Sequence, residues 1–277
     1  MKHWRYVLLT VLSLLVWWPV WFLLTGALQS AEELALTVEP ALSGAGSTIW
    51  TVLPAWPTLL PLLELLLDSP GFWSAFWNTV LLSVPIALGQ LLVGVGAAWA
   101  LSRLRFRGRR GLVLLYILLM ILPFQVTMTP NYLVLDGLGL MDTVWAVILP
   151  GIFATFPVFL MMRFFDGIPR SVVDCANLDG ANHWQIFWHI GLPLGRPGIF
   201  AAMVLTFLER WSAVEEPLTF LRDGQWQPLS LKLGQGTEVS TAMGAGLVAL
   251  IPAVLVFRWG QKYLELGIGS GTMEQEV

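Results

Sequence analysis

From Tyr6 to Leu28 the chain runs without one charged side chain, and five later stretches are nearly as apolar. A helix needs about 20 mostly apolar residues to cross the roughly 30 Å hydrocarbon layer. Inside that layer the backbone must satisfy its own N–H and C=O groups, which selects helices for such runs. The stretches that meet the length test are roughly Tyr6–Leu28, Phe76–Leu101, Leu112–Tyr132, Thr143–Phe164, Gly198–Val214 and Ala242–Trp259. The pattern predicts an all-α, polytopic membrane protein with six transmembrane helices. The competing class, a large soluble helical protein, fits poorly. Only 12% of the 277 residues are charged, against about 25% in soluble domains. The first stretch is too long, and lacks the small-residue cleavage site, for a secretory signal; it reads as a retained helix.

Lys and Arg resist translocation, so their distribution orients the spans. Lys2 and Arg5 precede the first span, and Arg103, Arg105, Arg107, Arg109 and Arg110 follow the second. Arg163, Arg170 and Arg196 accompany the exit from the fourth, and Arg258 and Lys262 close the sixth. With six spans all of these fall on one side. Arg222 and Lys232 fall on the other, and Arg210 lies in or beside span five. The asymmetry predicts that both termini are cytoplasmic. The first outer segment, roughly 29–75, has no Lys or Arg and carries Glu32, Glu33, Glu39, Glu64 and Asp68. Its Trp- and Leu-rich part, 50–67, reads either as an interfacial helix or as a short membrane-dipping piece.

Chemistry of its own is hard to find in this chain. No G-x-x-x-x-G-K-[ST] run holds nucleotide phosphates, and no G-x-S-x-G or H-E-x-x-H occurs. Cys175 is the only cysteine, and His3, His183 and His189 lack metal-ligand spacing. A net charge of -3 offers nucleic acid no basic footprint. No catalytic residue and no metal site are predicted. Polar residues in or near spans are costly and point either to a solute path or to helix–helix hydrogen bonds. Gln125, Asn131, Glu209, Trp211 and Ser212 are the path candidates, with Gln90, Thr127 and Arg210 beside them. Gly89, Gly94, Gly96, Gly244 and Gly246 are expected to permit close helix packing.

One polar interlude stands out, between spans four and five. Ser171 followed by Asp174 has the spacing of a capping box. A short helix is expected to run to about Asp179, with Gly180 permitting a turn. A second helix then puts Trp184, Phe187, Trp188 and Gly191 on one face and Asn182, Gln185 and His189 on another. Pro193 and Pro197 are expected to end it before span five. The result is a helix–turn–helix at the membrane surface. Its small residues Cys175, Ala176, Gly180 and Ala181 allow close approach, and Asp174 and Asp179 are placed to meet basic groups. Asp174 as a cap and Asp174 as a contact are compatible.

These residues carry a resemblance. Asp174-Cys175-Ala176, three residues, Gly180, nine residues, then Ile190-Gly191-Leu192-Pro193 resembles the EAA loop of ABC-importer permeases, E-A-A-x3-G-x9-I-x-L-P. Asp replaces Glu and Cys replaces the first Ala. Leu101-Ser102-Arg103-Leu104-Arg105-Phe106-Arg107-Gly108 is similar to the arginine-rich turn after the second span of sugar-importer permeases. Leu122–Tyr132, Leu138–Thr143, Ile168-Pro169 and Trp211 with Pro217-Leu218 fit the same pattern. The resemblance covers about Trp77 to the C-terminus and is closest to the MalG-like carbohydrate permeases. Ser212 stands where that family has Asn.

The resemblance implies a subunit of the bacterial cytoplasmic (inner) membrane that forms half of a path for a sugar or oligosaccharide. Residues 1–75 would supply the first helix and outer segment, and residues 76–277 a permease core of five helices with its coupling loop at 169–193. A second permease subunit, two copies of a cytoplasmic ATPase carrying ATP and Mg, and an extracytoplasmic solute-binding protein would be the partners, beside membrane lipid. The chain itself would bind no cofactor and hydrolyse nothing. Ser171, Asp174, Cys175, Ala176, Asp179, Gly180 and Ala181 would meet the ATPase. The competing readings are a permease for another solute, such as glycerol phosphate or a polyamine, and a stand-alone secondary transporter, which inverted repeats would mark.

Overall fold

The computed structural model describes residues 2–42, 44, 46–49, 51–234 and 238–269, and contains no strand among them. The elements used below are α1 (Lys2–Gly26), α2 (Pro70–Arg103), α3 (Arg109–Ile121), α4 (Phe124–Gly137), α5 (Trp145–Ile152) and α6 (Thr155–Asp166). They are followed by α7 (Arg170–Leu178), α8 (His183–Ile186), α9 (Leu192–Trp211), α10 (Glu215–Phe220) and α11 (Val239–Gly269).

Among the described residues five segments are long and apolar enough to cross a membrane unbroken: Trp4–Gly26, Pro70–Arg103, Trp145–Asp166, His183–Trp211 and Val239–Glu265. Helices α3 and α4 pass the same test only together, bent by 106° at their junction, as a broken span or a re-entrant loop does. The straight third span expected over Leu112–Tyr132 is therefore corrected. Leu122 and Pro123 hold extended backbone, ψ 126° and 151°. Proline fixes its own φ, withholds an N–H and pushes the preceding residue out of the helical region. Hydropathy alone does not register that break.

The chain forms two compact units. One comprises Met1–Trp77 and Leu229–Pro252. Its core gathers Leu65, Phe72, Ala75, Leu229 and Ala245. Polar contacts organise the acidic segment that follows α1. Ser30 caps the helix Ala31–Thr37, accepting from the Glu33 N–H at 3.2 Å. The Glu33 carboxylate accepts from the Ala55 N–H at 2.9 Å, and the Trp21 indole donates to the Val52 carbonyl at 2.9 Å. Trp50 lies outside the described residues. From 51 to 67 the chain is irregular up to a four-residue helix, Leu60–Leu63, and the π-turn Glu64–Asp68. Leu65 is buried there, while Trp56 is 83% exposed.

The other unit comprises Asn78–Pro228 and Ala253–Val277. Val95, Ala98 and Trp99 of α2 share a core with Val158, Met161 and Phe165 of α6 and with Ile199 and Ala202 of α9. The α6–α9 contact depends on absent side chains. A Cβ at Gly198 would lie 2.2 Å from the Phe164 ring, and one at Gly195 would lie 2.3 Å from Phe165. Gly198→Ala is therefore expected to cost about 1–3 kcal/mol by overpacking, read as a lower thermal midpoint in detergent. The expected close packing also holds at Gly89, where a Cβ would meet Ile152 at 2.4 Å. It does not hold at Gly96, which has nothing within 4 Å.

A buried polar strut ties three spans of this unit. Gln90 Nε2 donates to the Gly151 carbonyl at 2.6 Å, and Thr206 Oγ1 donates to Gln90 Oε1 at 2.6 Å. Gly151 lies where α5 gives way to α6, and its carbonyl, which also accepts from the Ala154 N–H at 3.2 Å, uses its second lone pair for this bond. Gln90→Leu takes the acceptor from the buried Thr206 hydroxyl and is expected to cost about 1–3 kcal/mol. Thr206→Val in that background should then cost little further, a non-additivity measurable by thermal denaturation.

Candidate functional site: a surface hairpin joined to the fifth span

The hairpin between spans four and five is built from two local motifs back to back. Helix α7 ends in a Schellman motif. Gly180 sits at φ +80°, its N–H donates to the Asn177 carbonyl at 3.1 Å, and the Ala181 N–H donates to the Ala176 carbonyl at 3.0 Å. The next helix opens at once with a capping box. Gln185 N–H donates to the Asn182 side chain at 2.8 Å, and the Asn182 N–H donates to the Gln185 side chain at 2.9 Å. The turn is thus closed on one side by backbone–backbone hydrogen bonds and on the other by side chain–backbone ones.

Three sequence expectations are corrected here. The Ser171–Asp174 capping box does not form. Pro169 occupies the N-cap with ψ 134°, which leaves Ser171 inside the first turn of α7. Pro193 and Pro197 do not end the second helix. His183–Trp211 runs on as one 29-residue element through the π-turn Phe187–Gly191, and Pro193 falls in the first turn of α9, where a missing N–H is tolerated. The expected Trp184/Phe187/Trp188/Gly191 face is split. Phe187 and Gly191 are buried with Ile186, whereas Trp184 and Trp188 are 67% and 51% exposed.

The inner side of the hairpin is fastened to the bundle through Trp99. Its ring meets Phe165 edge-on at 5.3 Å and Phe187 at 5.7 Å. A Cβ at Gly191 would come within 2.7 Å of the same indole. Ala176 and Ala181 are half-buried against this core. The outer side keeps Ser171, Asp174, Cys175, Asp179 and Gly180 exposed. The structure therefore distributes the small-residue patch over both sides.

The arginine-rich turn after α2 holds this assembly in a way the sequence did not reveal. The Arg103 guanidinium donates to the carbonyls of Phe165 and Ile168, where the chain leaves α6 for the hairpin. Arg109 donates to the carbonyls of Leu101 and Ser102 at 2.5 and 2.8 Å, satisfying acceptors that the end of α2 leaves open. The Ser102 hydroxyl donates to Asp166 at 2.6 Å. Arginines that the sequence offers as orientation charges also fasten the helix ends.

A second polar group gathers at the far end of the same span. Twenty residues of α9 at 1.5 Å rise separate it from the hairpin by about 30 Å. Arg210 pairs with Glu216 and, at 3.1 Å, with Glu209. Gln125, at the start of α4, donates to Glu215 at 3.1 Å. Ser212 is exposed and donates to the Leu208 carbonyl at 3.1 Å. Asn131 is half-buried, and Trp211 is buried, stacked on Phe207 at 5.4 Å. Glu215 and Glu216 escaped the sequence reading. Their signal was two adjacent acids just beyond a span of a chain otherwise poor in charge. Nearby, Asp142 holds a left-handed φ of 58° and its carboxylate accepts from the Arg222 and Asp223 N–H groups at 2.6 and 3.2 Å.

The arrangement is a helical bundle with an exposed hairpin at one end of α9 and, at the other, a polar group with a shielded ion pair and an exposed rim. The family model described as "Binding-protein-dependent transport system inner membrane component" matches residues 90–270. The chain belongs to that family. This permease is 29% identical over 223 residues to the arabinooligosaccharides transport system permease protein AraQ of Halalkalibacterium halodurans, covering 79% of this chain and 80% of that one. It is 28% identical over 199 residues to the sn-glycerol-3-phosphate transport system permease protein UgpE of Agrobacterium fabrum, covering 69% and 71%. Its fold is like that of a chain from a bacterial ABC transporter involved in the import of the acidic polysaccharide alginate. The TM-score is 0.78 at 24% identity, over 95% of each chain.

Proposed function

We propose that this permease forms half of the translocation pathway of an ATP-driven importer for a sugar or oligosaccharide, in a bacterial cytoplasmic membrane with both termini inside. The observation that carries the reading is mechanical. The hairpin is stiff, exposed on one side, packed on Trp99 on the other, and continuous with the fifth span. A push on the exposed side, from Ser171 to Ala181, reaches α9 without crossing a flexible joint. The chain has no nucleotide-binding run of its own. The fuel, ATP with Mg, therefore belongs to two copies of a cytoplasmic ATPase seated on the hairpins of this chain and of a second permease. An extracytoplasmic binding protein would deliver solute to the opposite end. Gln125, Asn131, Glu209, Trp211 and Ser212 belong to the segment that lines or supports the route, with buried Trp211 in the supporting role.

Sugar as cargo follows the name of the arabinooligosaccharide relative. The glycerol-phosphate relative favours a second reading, import of a small polyol phosphate. Purification from the native membrane is the test. A complex with an ATPase and a second permease, whose uptake stops when nucleotide hydrolysis is blocked, is the expected result. Uptake by this chain alone would end the importer reading. Ligand screening of the cognate binding protein then separates sugar from polyol phosphate.

A further inference from the structure

Beside the hairpin, under the end of α2, the second unit holds a cavity of about 790 Å³. Four guanidinium groups line it, from Arg103, Arg105, Arg109 and Arg170, against two carboxylates, Asp166 and Asp174. That leaves an excess of two positive charges. Among the described residues none of these arginines is in an ion pair, since both ion pairs belong to Arg210. Arg103 and Arg109 are fixed in place by backbone carbonyls, so their charges cannot swing away. The Nε of Arg103 is buried without an acceptor. Asp166 is already engaged by the Ser102 hydroxyl. The rest of the wall is mixed, with Trp99, Phe106 and Ile186 beside Ser102, Asn177 and His183.

We propose that this cavity holds the phosphate of an anionic phospholipid headgroup, of the phosphatidylglycerol kind. The second span ends at Arg103, so the cavity opens where a helix leaves hydrocarbon and headgroups begin. Basic pockets between spans at that depth attract anionic headgroups. The mixed wall decides between sources. A free phosphate ion prefers polar groups all round, whereas a lipid brings a glycerol and acyl chain that suit Trp99 and Phe106. The inference rests on the membrane reading of α2 and not on the direction of transport. Asp174 also belongs to the proposed ATPase contact, so an acidic loop of the ATPase is the competing occupant.

The test titrates the purified full chain in mild detergent with phosphatidylglycerol, phosphatidylcholine or inorganic phosphate and counts bound lipid by native mass spectrometry. Phosphatidylglycerol is expected to bind and phosphatidylcholine not. Arg105→Gln should weaken it by about fivefold, which is what ~1 kcal/mol per basic residue near an anionic surface amounts to. Arg105 is exposed, so the variant is expected to fold. Arg107→Gln, in the same turn but outside the cavity, should leave binding unchanged. Equal binding of phosphatidylcholine, or no effect of Arg105→Gln, overturns the proposal. Displacement by inorganic phosphate overturns it in favour of a soluble-anion site, and loss of the lipid on addition of the ATPase overturns it in favour of a partner contact. Lipid counting needs no transport, so failure here is distinct from failure of the importer reading.

Discussion

Gly180→Pro is expected to abolish uptake while the protein still inserts into the membrane. Three features of the turn exclude proline at once. The native φ is +80°, whereas proline is confined near −65°. The Gly180 N–H that donates to Asn177 at 3.1 Å would be lost. Asp179 holds ψ near 1°, a value disfavoured before proline. Together these cost about 3 kcal/mol or more, enough to dismantle the Schellman motif and release α7 from its fixed angle to α8. The spans keep most of their packing, because the turn itself gives the core only the half-buried Ala181. ATP hydrolysis by the proposed ATPase partner should persist but no longer drive solute, measured as uptake and phosphate release in proteoliposomes. Gly180→Ala serves as the graded control. A Cβ there meets nothing within 4 Å, so only the left-handed φ opposes it, at about 1–2 kcal/mol, and partial uptake should remain. Normal uptake by the proline variant would show that the hairpin is not a lever.

Much of this architecture was legible because a bilayer reduces folding to a length and a polarity test. The apolar runs announced every span, and the Gly180 turn was readable because few residues tolerate its backbone conformation. What escaped was tertiary. Leu122-Pro123 breaks a run that hydropathy reads as continuous, since proline is apolar on any scale and acts through its missing N–H. Pro193 and Pro197 erred the other way, because a π-turn just upstream changed the hydrogen-bond register and let the helix continue. Ser171 had the spacing of a cap, but Pro169 held the position. At the site, Arg103 and Arg109 read as orientation charges. Their carbonyl partners lie on segments that only the fold brings close, up to 65 residues away for Ile168. Gln90 was visible as an anomaly in a span, and Thr206 and Gly151 as its partners were not.

Removing the cation from the polar group beyond α9 should be the most destabilising single change at a charged position. The Arg210 side chain is 8% exposed and Glu216 is 19% exposed, whereas Glu209 is 58% exposed. The Arg210–Glu216 contact is therefore a shielded ion pair, and Glu209 contributes little beside it. Arg210→Met leaves the Glu216 carboxylate shielded without its cation, expected to cost about 3–5 kcal/mol. Glu209→Gln should cost less than about 1 kcal/mol. The decisive variant is the double replacement Arg210→Met with Glu216→Leu, which removes both charges and fills similar volume. It should recover most of the lost stability, because a buried pair pays its desolvation in full and returns only its mutual attraction. Thermal unfolding in detergent of the parent, Arg210→Met, Glu216→Leu and the double variant gives the coupling energy directly, and additive losses would show that the two side chains do not act as a pair. Uptake by the double variant then separates scaffold from route. A stable protein that still transports assigns the pair to holding α9 against α10. A stable protein that no longer transports assigns the charges to the passage of solute, alongside Gln125 and Glu215.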